Sequence, residues 1–196
     1  MLITIRFFLT LTTCAIIILL QGCGAAIVPC AATGAIVAHD RRTAGTVVDD
    51  QAIEFKALHA LSENKPLWKD SHITAVSYNN VLLLVGQTPT EDLKQQAEQA
   101  VSNIAKVRRV HNELTVEEPV PLSIRSQDTW ITTQIKAKML SNKGVKPSRV
   151  KVITENGIVF LMGLTTSEEA MAATDIAQQV TGVEKIIQIF EPSESN

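Results

Sequence analysis

The sequence predicts an α+β protein made of two tandem α-β-β-α-β domains, each a three-stranded mixed sheet covered by two helices. The main observation is an internal repeat, because the pattern of residues 71–86 recurs without a gap 77 residues later, at 148–163. Both copies read as an alternating strand, an Asn-containing turn and an apolar strand that ends in glycine. Apolar residues at helical spacing precede and follow each copy. A three-stranded sheet exposes one apolar face, which two helices can cover.

The first domain, residues 49–117, begins with a predicted helix over about 50–62. The hairpin turns at Asn79-Asn80, a weaker form of the Asn-Gly turn signal. The sequence Thr88-Pro89-Thr90-Glu91 then predicts a helix start, with an N-cap, a proline at the first helical position and a glutamate at N3. A strand over 107–116 completes the domain.

The second domain, residues 127–191, repeats this order. Its first helix is predicted over 129–141, with Asp128 as N-cap. Asn156-Gly157 is the strongest short hairpin signal, and Thr166 to Glu169 predicts another helix start. The linker 118–126 contains two prolines and favours a partly fixed arrangement of the domains, and residues 192–196 form a tail.

Residues 1–22 have the layout of a secretory signal peptide, with Arg6, a short apolar core and a small residue before the cleavage site. The ending Leu20-Gln21-Gly22-Cys23 resembles the bacterial lipobox, which predicts lipidation of Cys23. The alternative is an uncleaved anchor, although the apolar stretch is shorter than a membrane span. Gly24 in place of aspartate favours the outer membrane, and residues 23–48 are interpreted as the lipidated N-terminus and tether.

Composition and motifs argue against several function classes. The net charge is −2 and only 4% of residues are aromatic, so nucleic acid is not an expected partner. The three cysteines do not make a disulfide framework, and Cys30 is an isolated thiol. The four histidines lack metal-ligand spacing, and no catalytic motif is present. We expect no enzyme, no metal and no cofactor.

Taken together, several motifs resemble those of dual BON-domain outer-membrane lipoproteins of the DolP type. They are Leu20-Gln21-Gly22-Cys23, Asp40 to Gly45, Val81 to Gly86, Asp128 to Thr133 and Val159 to Gly163. The resemblance implies a non-enzymatic protein at the periplasmic side of the outer membrane of a Gram-negative bacterium. It also implies binding of anionic phospholipids such as phosphatidylglycerol or cardiolipin, and support of outer-membrane integrity.

In that family the lipid surface is the first helix of the second BON domain. By position, the resemblance places phospholipid contacts on Trp130, Ile131, Thr133, Gln134, Lys136, Ala137, Lys138, Leu140 and Ser141. Charge gives partial independent support, because no acidic residue lies between Asp128 and Glu155. That interval contains six basic residues: Lys136, Lys138, Lys143, Lys146, Arg149 and Lys151. Basic side chains are attracted to anionic bilayers, although a charged run can also be an ordinary solvated face.

Several interpretations stay open. Trp130 either inserts at the headgroup interface or seals the edge of the core. Trp68 is expected in the core, and the strand-ending glycines are expected to serve turns. Arg41 and Arg42 either contact phosphate headgroups or pair with Asp49 or Asp50. The rival function is a protein-interaction adaptor that docks envelope-assembly proteins.

Overall fold

Both β-hairpins turn through residues with positive φ angles. The structure, a computed structural model, describes residues 40–193. Asn79 and Asn80 have φ angles of 52° and 62°, and Asn156 and Gly157 have φ angles of 47° and 73°. A two-residue hairpin turn needs such left-handed conformations, which Asn and Gly tolerate best. The two predicted hairpins are therefore confirmed, with Tyr78 paired to Val81 in the first.

The first domain contains one mixed sheet. Its elements are helix α1 (Ala44–Glu63), helix α2 (Lys65–Asp70), strands β1 (His72–Tyr78) and β2 (Val81–Thr88), helix α3 (Glu91–Val101), and strands β3 (Arg109–Asn112) and β4 (Thr115–Val116). β1 pairs antiparallel with β2, whereas β3 and β4 both pair parallel with β2. The predicted last strand is therefore split into two short pieces.

The second domain repeats this topology. Its elements are helix α4 (Leu122–Ser141), a 3₁₀ turn (Pro147–Arg149), strands β5 (Val150–Glu155) and β6 (Ile158–Thr165), helix α5 (Ser167–Gln178) and strand β7 (Lys185–Pro192). β5 pairs antiparallel with β6, and β6 pairs parallel with β7. The predicted fold class, two tandem α-β-β-α-β domains with mixed sheets, is confirmed.

The first helix of each domain begins earlier than the sequence predicts. Helix α1 begins at Ala44, because the Thr43 side chain accepts a hydrogen bond from the Thr46 amide and caps it. Helix α4 begins at Leu122 after Pro121, so it includes part of the segment interpreted as a linker. Asp128 is therefore not an N-cap but a buried residue inside the helix.

Asp50 and Asp128 have the same structural role in the two domains. The carboxylate of Asp50 accepts hydrogen bonds from the backbone amides of Asn79 and Asn80, at 2.8 and 2.7 Å. Asp128 accepts from the amides of Asn156 and Gly157, at 2.8 and 2.9 Å. Each first helix is thus joined to the hairpin turn of its own sheet by bonds to a charged acceptor, which are stronger than neutral ones.

Two predicted local features need correction, and a third is confirmed. Helix α3 is capped by Thr90 rather than Thr88, because Thr88 is still part of β2 and pairs with Val116. Gly86 and Gly163 do not serve turns but lie inside β2 and β6. A Cβ atom on Gly86 would lie 1.9 Å from the backbone oxygen of the neighbouring β1 residue, so a side chain has no room there. The capping box at Thr166 and Glu169 is confirmed.

The two domains share a hydrophobic core in addition to the core inside each domain. Side chains of β2 alternate, with Leu82 and Leu84 facing the helices of the first domain and Leu83 facing the second domain. In β6, Leu161 faces its own helices while Phe160 packs into the shared core. Both faces of the central strand of each sheet are therefore buried. Burial of these apolar side chains between the sheets stabilises the junction of the two domains.

Candidate lipid-binding surface

Helix α4 carries a row of exposed residues on the side opposite its buried face. One face packs three apolar side chains against the sheet. On the other face, Trp130, Thr133, Ala137 and Leu140 recur at intervals of three or four positions and are all exposed. The side chains at the two ends are large and apolar, with Trp130 63% and Leu140 75% exposed. At a rise of 1.5 Å per residue, they lie about 15 Å apart along the helix. We call these four residues the outward stripe.

Most of the residues expected to contact lipid are accessible. The exposed ones are Trp130, Thr133, Lys136, Ala137, Lys138, Leu140 and Ser141, and Gln134 is half-buried. The expectation that Ile131 contacts lipid is wrong, because this residue is only 1% exposed and packs in the core of the second domain. Trp130 does not seal the core edge, because 63% of its surface is exposed.

Four exposed lysines accompany the outward stripe: Lys136 and Lys138 on α4 itself, and Lys143 and Lys146 in the segment that follows the helix. Within residues 40–193, none of their ammonium groups forms an ion pair or a hydrogen bond to another side chain. We call them the lysine border. An apolar stripe with unpaired cations beside it combines the two attractions that hold a protein at an anionic bilayer.

Arg149 and Lys151 do not belong to the lysine border, although the charge pattern grouped all six cations together. Arg149 pairs with Glu169 at 2.6 Å. Lys151 pairs with Glu54 of the first domain at 2.6 Å and also donates to the backbone oxygen of Ser77. Both cations therefore form ion pairs within the fold. The sequence did not indicate these pairs, because the acidic partners are far away along the chain.

A family model of the BON domain matches residues 49–118 and 127–189 of this chain. The chain belongs to the BON domain family. The outer membrane lipoprotein DolP of Haemophilus influenzae is 44% identical over 174 residues, which are 89% of this chain and 90% of that protein. The 21 kDa hemolysin of Actinobacillus pleuropneumoniae is 41% identical over 151 residues, 77% of this chain and 78% of its own length. Osmotically-inducible protein Y of Escherichia coli is 30% identical over 145 residues, 72% of either chain.

These relationships confirm the predicted family and location. With two BON domains and this similarity to DolP, the chain is a BON-domain lipoprotein of the DolP type at the outer membrane. BON-domain lipoproteins of this type are a non-enzymatic family. The predicted signal peptide, the predicted lipidation site Cys23, and Cys30 and His39 lie outside the described residues. Between residues 40 and 193, no helix is long and apolar enough to cross a bilayer.

BON domain 1 also exposes large apolar side chains on its helices. Helix α1 exposes Val48, Phe55 and Leu58, with Phe55 74% exposed. Trp68 on α2 is 51% exposed, which corrects the expectation that it lies in the core. Its neighbour Leu67 is the core residue of this short helix. In the sequence, the apolar residues at positions 48, 52 and 55 share one helical face, and this spacing indicates the patch.

The segment Asp40–Arg42 docks at the junction of the two BON domains. Arg42 pairs with Asp50 at 2.8 Å and stacks on the ring of Tyr78, 3.9 Å from its centroid. Arg41 pairs with Glu169 of BON domain 2 at 2.5 Å. Both arginines therefore have acidic partners within the fold, and for Arg42 the partner is one of the two that the sequence suggested. Burial, together with the nearby carboxylate of Asp40, raises the pKa of Tyr78 to about 12.

A second polar contact across the junction involves Glu155, which is buried at the end of β5. Its carboxylate accepts a hydrogen bond of 2.9 Å from the side chain of Gln87 and lies 3.7 Å from Nε2 of His72. Burial raises the pKa of Glu155, although the Gln87 bond opposes this. Burial, with Arg125 nearby, lowers the pKa of His72. The described residues contain no group of three or more side chains that could hold a metal ion.

Proposed function

We propose that this protein binds anionic phospholipids, such as phosphatidylglycerol and cardiolipin, through α4 of BON domain 2 and so supports outer-membrane integrity without catalysing a reaction. The observation that carries the proposal is the outward stripe with its lysine border. A tryptophan is favoured at the headgroup level of a bilayer, and a leucine favours the acyl boundary. The lysines supply the preference for anionic lipid.

The expected affinity of this surface by itself is modest. Each basic side chain near an anionic surface contributes about 1 kcal/mol, so the four lysines together contribute about 4 kcal/mol. That value corresponds to a dissociation constant of about 1 mM, to which insertion of Trp130 and Leu140 adds. An acyl anchor on Cys23 would keep the domain at the bilayer and raise its effective concentration there. Binding by two linked weak contacts is the mechanism we propose.

The proposal is tested by flotation of the mature chain, without its acyl group, on vesicles of phosphatidylglycerol or of phosphatidylcholine. Trp130→Glu is expected to abolish flotation with anionic vesicles, because a carboxylate at that point opposes both insertion and charge attraction. Met171→Glu is the matched control, since Met171 is equally exposed but lies on α5. If Trp130→Glu and Met171→Glu float alike, the α4 surface does not bind lipid.

Charge is tested separately from insertion. Lys136→Glu with Lys138→Glu is expected to weaken binding to phosphatidylglycerol, and more strongly at low salt, because salt screens surface charge. The control is Lys65→Glu with Lys69→Glu, which makes the same charge change on exposed residues of BON domain 1. The contribution to outer-membrane integrity is tested in cells by the uptake of an impermeant dye, which Trp130→Glu should increase and Met171→Glu should not.

The exposed apolar side chains of BON domain 1 favour a second candidate, a protein-interaction adaptor. Val48, Phe55 and Leu58 lie on one side of α1, and none of them belongs to a hydrophobic cluster formed by residues 40–193. Photo-crosslinking from position 55 in the periplasm distinguishes the candidates. A stoichiometric protein adduct that survives the change of Lys136 and Lys138 favours the adaptor, whereas crosslinking to lipid alone argues against it.

A further inference from the structure

A groove of about 230 Å³ opens at the junction of the two BON domains. It is bounded by the N-terminal part of α1, the segment at Arg42, α4 and the start of β5. Its polar lining consists of Arg42, Gln51, Tyr78, Lys136, Ser148 and Lys151. Among the described residues that line this groove none is acidic, whereas three cationic side chains from separate elements converge on it.

We propose that this groove binds a phosphate group, as a phosphate ester or as inorganic phosphate. The proposal rests on the proposed function in one respect, because Lys136 belongs both to the groove and to the lysine border of α4. The same chemistry reaches the groove from two sources, a phospholipid headgroup at the bilayer or a soluble phosphate in the periplasm.

The three cations have donors left for a ligand. Lys136 has no ion pair or hydrogen bond of its ammonium group within residues 40–193. Lys151 uses two of its three N–H groups, on Glu54 and on the backbone oxygen of Ser77. Arg42 donates to Asp40 and Asp50, and a guanidinium has five N–H groups. A phosphate has several acceptor oxygens, so donors that arrive from different directions suit it.

The fold holds two of these cations in place before any ligand arrives. The ring of Tyr78 lies under the Arg42 guanidinium, and Asp50 fixes one end of that guanidinium. Glu54 holds Lys151 from the side of BON domain 1. None of these acids lines the groove. Preorganised charged donors lose little side-chain freedom on binding, and this favours a specific site over diffuse attraction.

The test is hydrogen exchange of the full lipidated chain in phosphatidylcholine nanodiscs, read by mass spectrometry at residues 145–152. Inorganic phosphate is titrated at constant ionic strength against sodium chloride. In a second arm, the nanodiscs contain phosphatidylglycerol and no soluble phosphate. Slower exchange in the phosphate arm identifies a soluble source, slower exchange in the phosphatidylglycerol arm identifies a headgroup, and either supports the site. No slowing in both arms, or equal slowing with chloride, overturns the proposal.

Variants connect the signal to the groove. Lys136→Met is expected to weaken protection by about tenfold in ligand concentration, as expected for one lost hydrogen bond to a charged group. Lys151→Met is combined with Glu54→Gln, so that no charge is left unpaired at the junction, and should have a similar effect. Lys69→Met is the control, because Lys69 is an exposed lysine on α2. Equal losses in the control and the groove variants would overturn the site.

The two proposals fail in different ways in this experiment. Protection of α4 by phosphatidylglycerol, with no protection at 145–152 in either arm, overturns the groove and leaves lipid binding by α4 intact. Protection at 145–152 by inorganic phosphate, with none on α4 from phosphatidylglycerol, overturns lipid binding by α4 and leaves the groove intact.

Discussion

Replacing Asp128 by alanine should destabilise BON domain 2 more than its place on a helix suggests. The Asp128 carboxylate accepts two hydrogen bonds, of 2.8 and 2.9 Å, from the backbone amides of the β5–β6 turn. A hydrogen bond to a charged group contributes about 1.5 to 3 kcal/mol, so two such bonds at the lower end give about 3 kcal/mol. The buried Gly157 amide would then have no acceptor, which adds to the loss.

The assay is urea unfolding followed by circular dichroism, with the slope m compared between variants. Asp128→Asn should lose about half as much as Asp128→Ala, since one side-chain oxygen remains to accept one bond. Thr129→Ala is the control, because that neighbouring hydroxyl bonds only to a backbone oxygen in its own helix and is exposed. A loss below about 1 kcal/mol for Asp128→Ala, at unchanged m, would refute the role assigned to the carboxylate.

Three further predictions concern the strands and the junction. Gly86→Ala should destabilise the protein strongly, because the new Cβ would lie 1.9 Å from a β1 backbone atom and φ at this position is +124°. Gly45→Ala in α1 should instead stabilise the protein by about 0.5 to 1 kcal/mol. The urea midpoints of the two variants test this contrast. Phe160→Ala should cost about 3 to 5 kcal/mol and loosen the junction, so calorimetry should show a broadened or divided transition, and a single unshifted transition would contradict a shared core. The pKa of Glu155 is raised in the folded state, so folding favours the protonated acid. Stability is therefore lost as pH rises from about 4 through that raised pKa. Glu155→Gln should flatten this part of the pH profile of the urea midpoint.

Local signals were sufficient for much of the fold. The Asn-containing turns, the capping box at Thr166 and the apolar spacing of the helices involve residues close together in the chain, so their order could be predicted. The exact starts of α1 and α4 could not, because Thr43 and Pro121 compete with other good start signals nearby. The run Val81 to Val85 is continuously apolar, which is typical of a strand buried on both faces.

In the candidate site, too, some features could be predicted from the sequence and others could not. The helix and its outward tryptophan followed from position and family resemblance, and the exposed positions agree with helical spacing. Ile131 does not face lipid, because helical spacing places it with Ile135 and Met139 on the buried face of α4. Lys151 looked like a free cation because its partner, Glu54, is 97 residues away.

The sequence by itself therefore determined the element order, the repeat, the predicted anchor and the composition of α4, since these depend on neighbouring residues and on periodicity. Tertiary structure alone decided that the two sheets pack face to face, that Asp50 and Asp128 hold the hairpin turns, and which cations remain unpaired. The physical reason is that burial and charge pairing depend on distances between residues far apart in the chain, which no local pattern encodes.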